Sequence, residues 1–389
     1  MVRGIRMREA VIVEAVRTPV GKRNGLLSGI RAEELAAKVL QEVVKRTGIS
    51  PDLVEDVIMG CVSQVGEQAS DIARQAALIA GFPIEVPGVT IDRQCGSSQQ
   101  AVHFAAQAVL SGDMDVVIAG GVESMSRVPI GSNRSGVQFS KVLTAKYNMI
   151  HQGLSADLIA EKWGISREKM DHYALESHRR ALQAQKEGRF DREIMPVEAE
   201  QPDGIAVSVV KDEGPRADTS VQKLAALKPA FQEDGRITAG NASQISDGAA
   251  AVLIMSRTKA ESLGLKPRFR ILARAVVGSD PTLMLTGVIP ATEKVLCQAG
   301  LSIDDIDVFE VNEAFASVPL AWLLETGASP EKLNPNGGAI ALGHPLGASG
   351  ARLMTTLIHE LERTNGRYGL QTMCEGYGMA NATIIERLD

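Results

Sequence analysis

The sequence predicts an α/β fold made of two related halves, with a polar segment set into the first. Three observations predict it. Short apolar runs alternate with helical patterns at both ends of the chain, a stretch near residue 50 recurs near residue 300, and the text between the halves turns polar and amphipathic. Taken in order, residues 10–15 are a strand, 30–47 a helix, 56–59 a strand, 70–79 a helix, 88–91 a strand and 97–110 a helix. Residues 115–119 add a β-branched run that ends in Gly120 and Gly121. The alternation implies βαβ units and a mostly parallel sheet.

The repeat is visible in letters. Gly48-Ile-Ser-Pro-Asp-Leu-Val-Glu-Asp-Val-Ile-Met-Gly60 is similar to Gly300-Leu-Ser-Ile-Asp-Asp-Ile-Asp-Val-Phe-Glu-Val-Asn312, and Cys95-Gly-Ser-Ser-Gln-Gln100 is echoed by Leu346-Gly-Ala-Ser-Gly-Ala351. Equal spacing in the two halves favours a duplicated unit. Residues 123–242 read as an insertion with amphipathic helices at 155–162 and 168–186; strands resume at 249–255 and 269–277. The expected division is therefore 1–122 with 243–272, the insertion 123–242, and 273–389.

Composition narrows the function. With 389 residues, 44% hydrophobic and 23% charged, the chain has ample material for a core, and disorder does not fit. A net charge of −6 argues against a chain-wide nucleic-acid surface. No run of 18 apolar residues exists to span a membrane, and the run Ala10-Val-Ile-Val13 that follows the basic opening is far too short for a signal peptide's apolar region, so a cytoplasmic setting is expected. Cys61, Cys95, Cys297 and Cys374 stand far apart without zinc-site spacing, and no metal is expected.

Four segments can carry chemistry. Cys95 falls where a strand ends and a helix begins, a position that lowers a thiol pKa through the helix dipole; the alternative is an inert buried cysteine. His344 sits in Asn334-Pro-Asn-Gly-Gly-Ala-Ile-Ala-Leu-Gly-His344-Pro-Leu-Gly-Ala-Ser-Gly-Ala-Arg352, a glycine-rich loop that would hold it on rigid backbone with nothing bulky nearby. Four other histidines, His103, His172, His178 and His359, lie in helical patterns and read as surface or core-edge residues. Cys374 opens Cys374-Glu-Gly-Tyr-Gly378, and Asn312 opens Asn312-Glu-Ala-Phe-Ala316. Asn312 can position a water or donate to an oxyanion, or simply cap a helix.

Together with Ala119-Gly-Gly-Val-Glu-Ser-Met-Ser126 and Gly240-Asn-Ala-Ser-Gln-Ile-Ser-Asp-Gly248, these segments resemble the thiolase family in order and spacing across nearly the whole chain. The resemblance implies a duplicated five-layered α/β/α/β/α fold with an inserted loop domain. It implies acyl transfer between coenzyme A thioesters through an acyl-cysteine, with no permanently bound cofactor and a homodimer or homotetramer as the assembly. By resemblance Cys95 is the nucleophile, His344 its activator, and Cys374 the acid/base for the carbon–carbon step. One oxyanion site would use His344 with a water on Asn312, the other the backbone N–H groups of Cys95 and Gly376. Ser243, Arg216 and His151 match coenzyme-contacting positions.

Two departures bear on substrate. Tyr377 replaces the middle glycine of the family's terminal motif, so its side chain either fills the acyl pocket or points outward. Residues 131–146 do not resemble the tetramer-forming loop of the biosynthetic branch, which favours degradation of 3-ketoacyl-CoA over condensation of two acetyl-CoA molecules. A non-catalytic lipid carrier of this fold would be expected to lack some of Cys95, Asn312, His344 and Cys374. A ketoacyl synthase would ordinarily lack Cys374 and the His344 loop, and a papain-like hydrolase would place its cysteine in another motif.

Overall fold

Strands that are apolar on both faces need a covering layer on each side, and the first half of the chain is built of such strands. The computed structural model describes residues 8–388; Asp389 and the basic opening, residues 1–7, lie outside them. The strands are β1 (Ala10–Arg17), β2 (Gly21–Lys22), β3 (Asp56–Gly60), β4 (Gly88–Ile91), β5 (Val116–Ser124), β6 (Val197–Glu200), β7 (Ala206–Val209), β8 (Ser246–Ser256), β9 (Phe269–Gly278), β10 (Val308–Val311), β11 (Tyr368–Glu375) and β12 (Met379–Arg387). The helices are α1 (Ala32–Thr47), α2 (Ile72–Ile79), α3 (Ser97–Ser111), α4 (Lys141–Thr144), α5 (Gln152–Lys162), α6 (Arg167–Lys186), α7 (Val221–Ala225), α8 (Arg257–Ser262), α9 (Val288–Ala299), α10 (Ser317–Thr326), α11 (Ala339–Leu342) and α12 (Ser349–Thr364).

The period-2 alternation of each strand sorts its side chains into layers. On β5, Val116, Ile118 and Val122 join Leu35 and Val39 of α1 and Ile72 of α2 in one core. Val117 and Ala119 point the other way, against Ala101 and Ala105 of α3 and Met354 and Leu357 of α12. In the second half, Ala380, Ala382 and Ile384 of β12 pack with Val288 and Val295 of α9 and Trp322 of α10. The result is five layers: α1 and α2, the first-half strands, α3 with α12, the second-half strands, then α9 and α10.

The main sheet path runs β10-β11-β12-β9-β1-β8-β5-β3-β4, with β2 beside β8. Among the described residues its halves are hydrogen-bonded only where β1 meets β9, through Val11 with Arg270 and Ile12 with Phe269. The expectation of a mostly parallel sheet is corrected. β3 is parallel to β4 and β5, and β10 to β11. β1 and β5 flank β8 in antiparallel pairs, and β12 is antiparallel to both β9 and β11. Three residues join β11 to β12, too few for a crossover, so that pair must be antiparallel.

The duplication is exact in register. β3 and β10, α3 and α12, and β5 and β11 each begin 252 residues apart. Because Ser97 and Ser349 both open their helix, the echo at Leu346–Ala351 shifts by one residue and Cys95 corresponds to Gly347. The two helix starts press together: a Cβ on Gly350 would strike the Gln99 backbone, and one on Gly121 the Gly347 carbonyl.

The residues between β5 and β8 hold α4 to α7 and the β6–β7 hairpin, and they bury against both halves. Val197, Ala199 and Val209 join the first-half core, whereas Ala156, Ile159, Met170 and Ala174 join the second. Two expected boundaries cut through strands: β5 runs past residue 122 to Ser124, and β9 crosses 272 while pairing with β12 along its length.

Candidate active site

The turn that presents Cys95 is locked before the helix begins. After β4, the Asp92 carboxylate accepts from the Gln94 backbone N–H at 2.7 Å, and the Ser97 hydroxyl donates to the Gln94 carbonyl at 2.6 Å while accepting from Arg93 N–H at 2.9 Å. Gln94 itself has φ of 48°, a left-handed conformation that a glutamine adopts only when its surroundings hold it. Cys95 follows, two residues before α3.

That position was expected to lower the thiol pKa; the structure reverses the sign. Burial pushes the Cys95 thiol up to about 12, with the neighbouring Glu375 as the second cause, and its own backbone N–H only partly opposes them. A helix N-terminus is worth ~1–2 kcal/mol, about one pH unit, which desolvation of a buried thiolate outweighs. Cys95 therefore rests as a neutral thiol.

His344 is held by the helix start that follows it. Its Nδ1 lies 2.5 Å from Ser349 Oγ, and that hydroxyl donates its single proton to the Pro345 carbonyl at 2.8 Å. With the hydroxyl proton on the Pro345 carbonyl, the Ser349 oxygen accepts, which assigns the imidazole proton to Nδ1 and leaves Nε2 bare. Asn312 Nδ2 points at Nε2 from 3.4 Å, a long contact, and Asn312 Oδ1 has no hydrogen-bond partner among the described residues. Burial lowers the His344 pKa to about 3, assisted by the Arg352 guanidinium, so the ring is neutral at pH 7.

Cys374, at the end of β11, is buried and its thiol is raised well above the ordinary value, first by burial and then by Cys95. Cys95 and Gly376 line a cavity of about 450 Å³ together with Val62, Leu346, Phe139 and Tyr377. Leu346, two residues after His344, packs directly in the Cys95 cluster. The structure thus holds two protonated thiols, Cys95 and Cys374, and on His344 a neutral imidazole.

The three positions matched to coenzyme contacts are spread more widely. His151 lines the Cys95 cavity, caps α5 by accepting from Gly153 N–H at 3.1 Å, and stacks on Phe231 with ring centres 5.0 Å apart. Phe231 in turn meets Phe315 of the Asn312 segment edge-on at 5.9 Å. Ser243 donates its N–H to the Ala314 carbonyl at 3.0 Å, beside the same segment. Arg216 is exposed and lines a separate recess of about 160 Å³ with His178, Lys223 and Gln244.

Sequence reading missed the carboxyl groups that hold these loops. Glu123, fully buried, accepts from the backbone N–H groups of Val62, Ser63 and Gly347 and from Gln68, tying the His344 loop to the first half. Glu313 does the same for Asn312, accepting from Tyr173, Ser177, Asn334 and the Ile340 N–H. Both stood inside quoted motifs, and only their non-local partners reveal the role. His103, His178 and His359, expected at the surface or core edge, are buried; His103 lies on α3 between the two strand layers and bonds Thr383 at 2.7 Å.

Comparison with known proteins gives a consistent answer. The profile described as thiolase, N-terminal domain, matches residues 10–258, and that of thiolase, C-terminal domain, matches 265–387. A steroid 3-ketoacyl-CoA thiolase of Mycobacterium tuberculosis is 54% identical, covering 99% of this chain and 96% of its own. A 3-ketoacyl-CoA thiolase of Idiomarina loihiensis is 47% identical over 98% of this chain and 100% of its own. The crystal structure of the Bacillus anthracis acetyl-CoA acetyltransferase superposes with a TM-score of 0.91 at 43% identity, covering 98% of this chain and 99% of that one.

Proposed function

Because this chain belongs to the thiolase family of acyltransferases, we propose that it works in the degradative direction, cleaving 3-ketoacyl-CoA with free coenzyme A into acetyl-CoA and a shortened acyl-CoA. Cys95 gives its proton to His344 Nε2 and its sulfur bonds the keto carbon. The C2–C3 bond then breaks, and the acetyl-CoA carbanion takes the proton of Cys374. Coenzyme A next loses its thiol proton to the Cys374 thiolate and attacks the acyl-cysteine, and Cys95 leaves with the proton held by His344.

Energetics favour a concerted start. Transfer from a thiol near 12 to an imidazole near 3 is steeply uphill in the resting site. It becomes accessible only as charge moves onto the substrate oxygen, where the new Nε2–H, a water held by Asn312, and the N–H groups of Cys95 and Gly376 would receive it. The observation that carries this reading is the bare Nε2 of His344 beside Asn312, fixed by the Ser349 and Pro345 bonds.

In this reading the first half carries the nucleophile, the second carries Asn312, His344 and Cys374, and the coenzyme lies against the insertion near Ser243, Arg216 and His151. The proposed assembly is a homodimer or homotetramer in the cytoplasm. No helix among the described residues is long and apolar enough to cross a membrane, and all four cysteines are unpaired. The test is cleavage of acetoacetyl-CoA with and without free coenzyme A, in wild type and Cys374→Ala. Coenzyme-dependent cleavage, lost in Cys374→Ala while self-acylation by acetyl-CoA persists, supports the scheme. Cleavage without coenzyme A would make the protein a hydrolase.

A further inference from the structure

The Cys95 cavity has a neighbour. A second cavity of about 520 Å³ lies beside it, lined by Leu143, Tyr147, Met149, Ser279 and Pro281. Four residues, Arg134, Phe139, Met149 and Tyr377, border both spaces. The rings of Phe139 and Tyr377 meet edge to face at 5.7 Å and 87°, and the Arg134 guanidinium lies over the other side of Phe139 at 4.1 Å. Such aromatic contacts are weak enough for a ligand to displace and together hold the two rings in place.

We propose that Phe139 and Tyr377 form an aromatic partition that sets the acyl-chain limit of this enzyme, dividing the Cys95 cavity from an adjoining one that receives the far end of a long or bulky hydrocarbon chain. This rests on the thiolytic reading above. The second cavity suits hydrocarbon because its lining is aliphatic, aromatic and thioether, with the hydroxyl of Ser279 beside it, and its one cation, Arg134, is laid on Phe139.

The backbone at Tyr377 strengthens the case. Tyr377 has φ of 69°, where a side chain is strained and glycine is not. Among the described residues, the other non-glycine positions in this region hold Asn, Ser, Asp or Gln, and Tyr377 is the one aromatic. A tyrosine at such a place adds strain that its ring contact with Phe139 offsets. The ring borders both cavities and is 37% exposed, as a wall between two open cavities would be.

The test compares kcat/KM for acetoacetyl-CoA and 3-ketohexadecanoyl-CoA in wild type, Tyr377→Gly and Phe139→Ala. The partition predicts that the long-to-short ratio rises by about tenfold in each variant, the low end of the discrimination set by a single methylene in an apolar pocket. An unchanged or lower ratio in either variant overturns it. Affinity for hexadecyl-CoA against ethyl-CoA, inert thioethers, gives a second readout by calorimetry. Preference for the hexadecyl compound should rise in the same variants, and its failure to rise overturns the partition even if the wild type proves to lack thiolytic activity. Absence of cleavage with normal thioether binding would instead defeat only the thiolytic reading.

Discussion

Replacing Ser349 by alanine should cripple acylation while leaving the fold intact. Ser349 opens α12, is fully buried, and its hydroxyl accepts from His344 Nδ1 at 2.5 Å. Alanine fits the same space and favours the helix; the change removes the acceptor for Nδ1 and one donor to the Pro345 carbonyl, which keeps its bonds from the Ala348 and Ser349 N–H groups. The buried Nδ1–H is then unpaired at a cost of about 1–3 kcal/mol. The ring can escape that cost by moving its proton to Nε2, where Asn312 Oδ1 can accept after an amide rotation, but the escape removes the base. Either route raises the barrier by roughly that amount, which is about a 5- to 150-fold loss in rate. The assay is the single-turnover rate of Cys95 acetylation by acetyl-CoA, with thermal unfolding and KM for coenzyme A as controls. A rate within twofold of wild type at unchanged stability would refute the assigned tautomer and with it the role of His344.

Other outcomes follow from the same geometry. With the Cys95 thiol raised to about 12, its alkylation by iodoacetamide should climb about tenfold per pH unit from pH 7 to 9; a plateau below pH 8 would mean a resting thiolate. Arg216→Ala, at an exposed position, should raise KM for coenzyme A by about two- to fivefold at unchanged kcat, matching a contact of ~0.5–1 kcal/mol. A fall in kcat alone would take Arg216 out of the coenzyme site. Glu123→Ala leaves three backbone N–H groups and Gln68 without their acceptor, so denaturant unfolding should show a loss on the order of 3 kcal/mol or more. A change below 1 kcal/mol would show that the His344 loop is anchored by other means.

Local pattern made much of this molecule legible. Strand 88–91 and the start of α3 at Ser97 were read to the residue, because a β-branched run and a small-residue helix start are local signals. The recurrence between residues 48–60 and 300–312 pointed to the duplication that the 252-residue register carries through the fold. What escaped was set by tertiary contact. The sheet direction depended on β8 and β12 arriving by routes that alternation does not encode. The Cys95 pKa depended on how deeply the helix start is buried and on Glu375, not on the dipole that sequence reveals. The tautomer of His344 needed the turn that carries Ser349 back onto it, and the work of Glu123 lies in partners 55 to 224 positions away.

The central claim is that Cys95 carries the acyl group. Incubating the enzyme with acetyl-CoA, quenching in acid and mapping peptides by mass spectrometry tests it directly. One acetyl group on the peptide containing Cys95, removed again by free coenzyme A, is the predicted result; an acetyl group only on Cys61, Cys297 or Cys374, or one that coenzyme A fails to discharge, would contradict it.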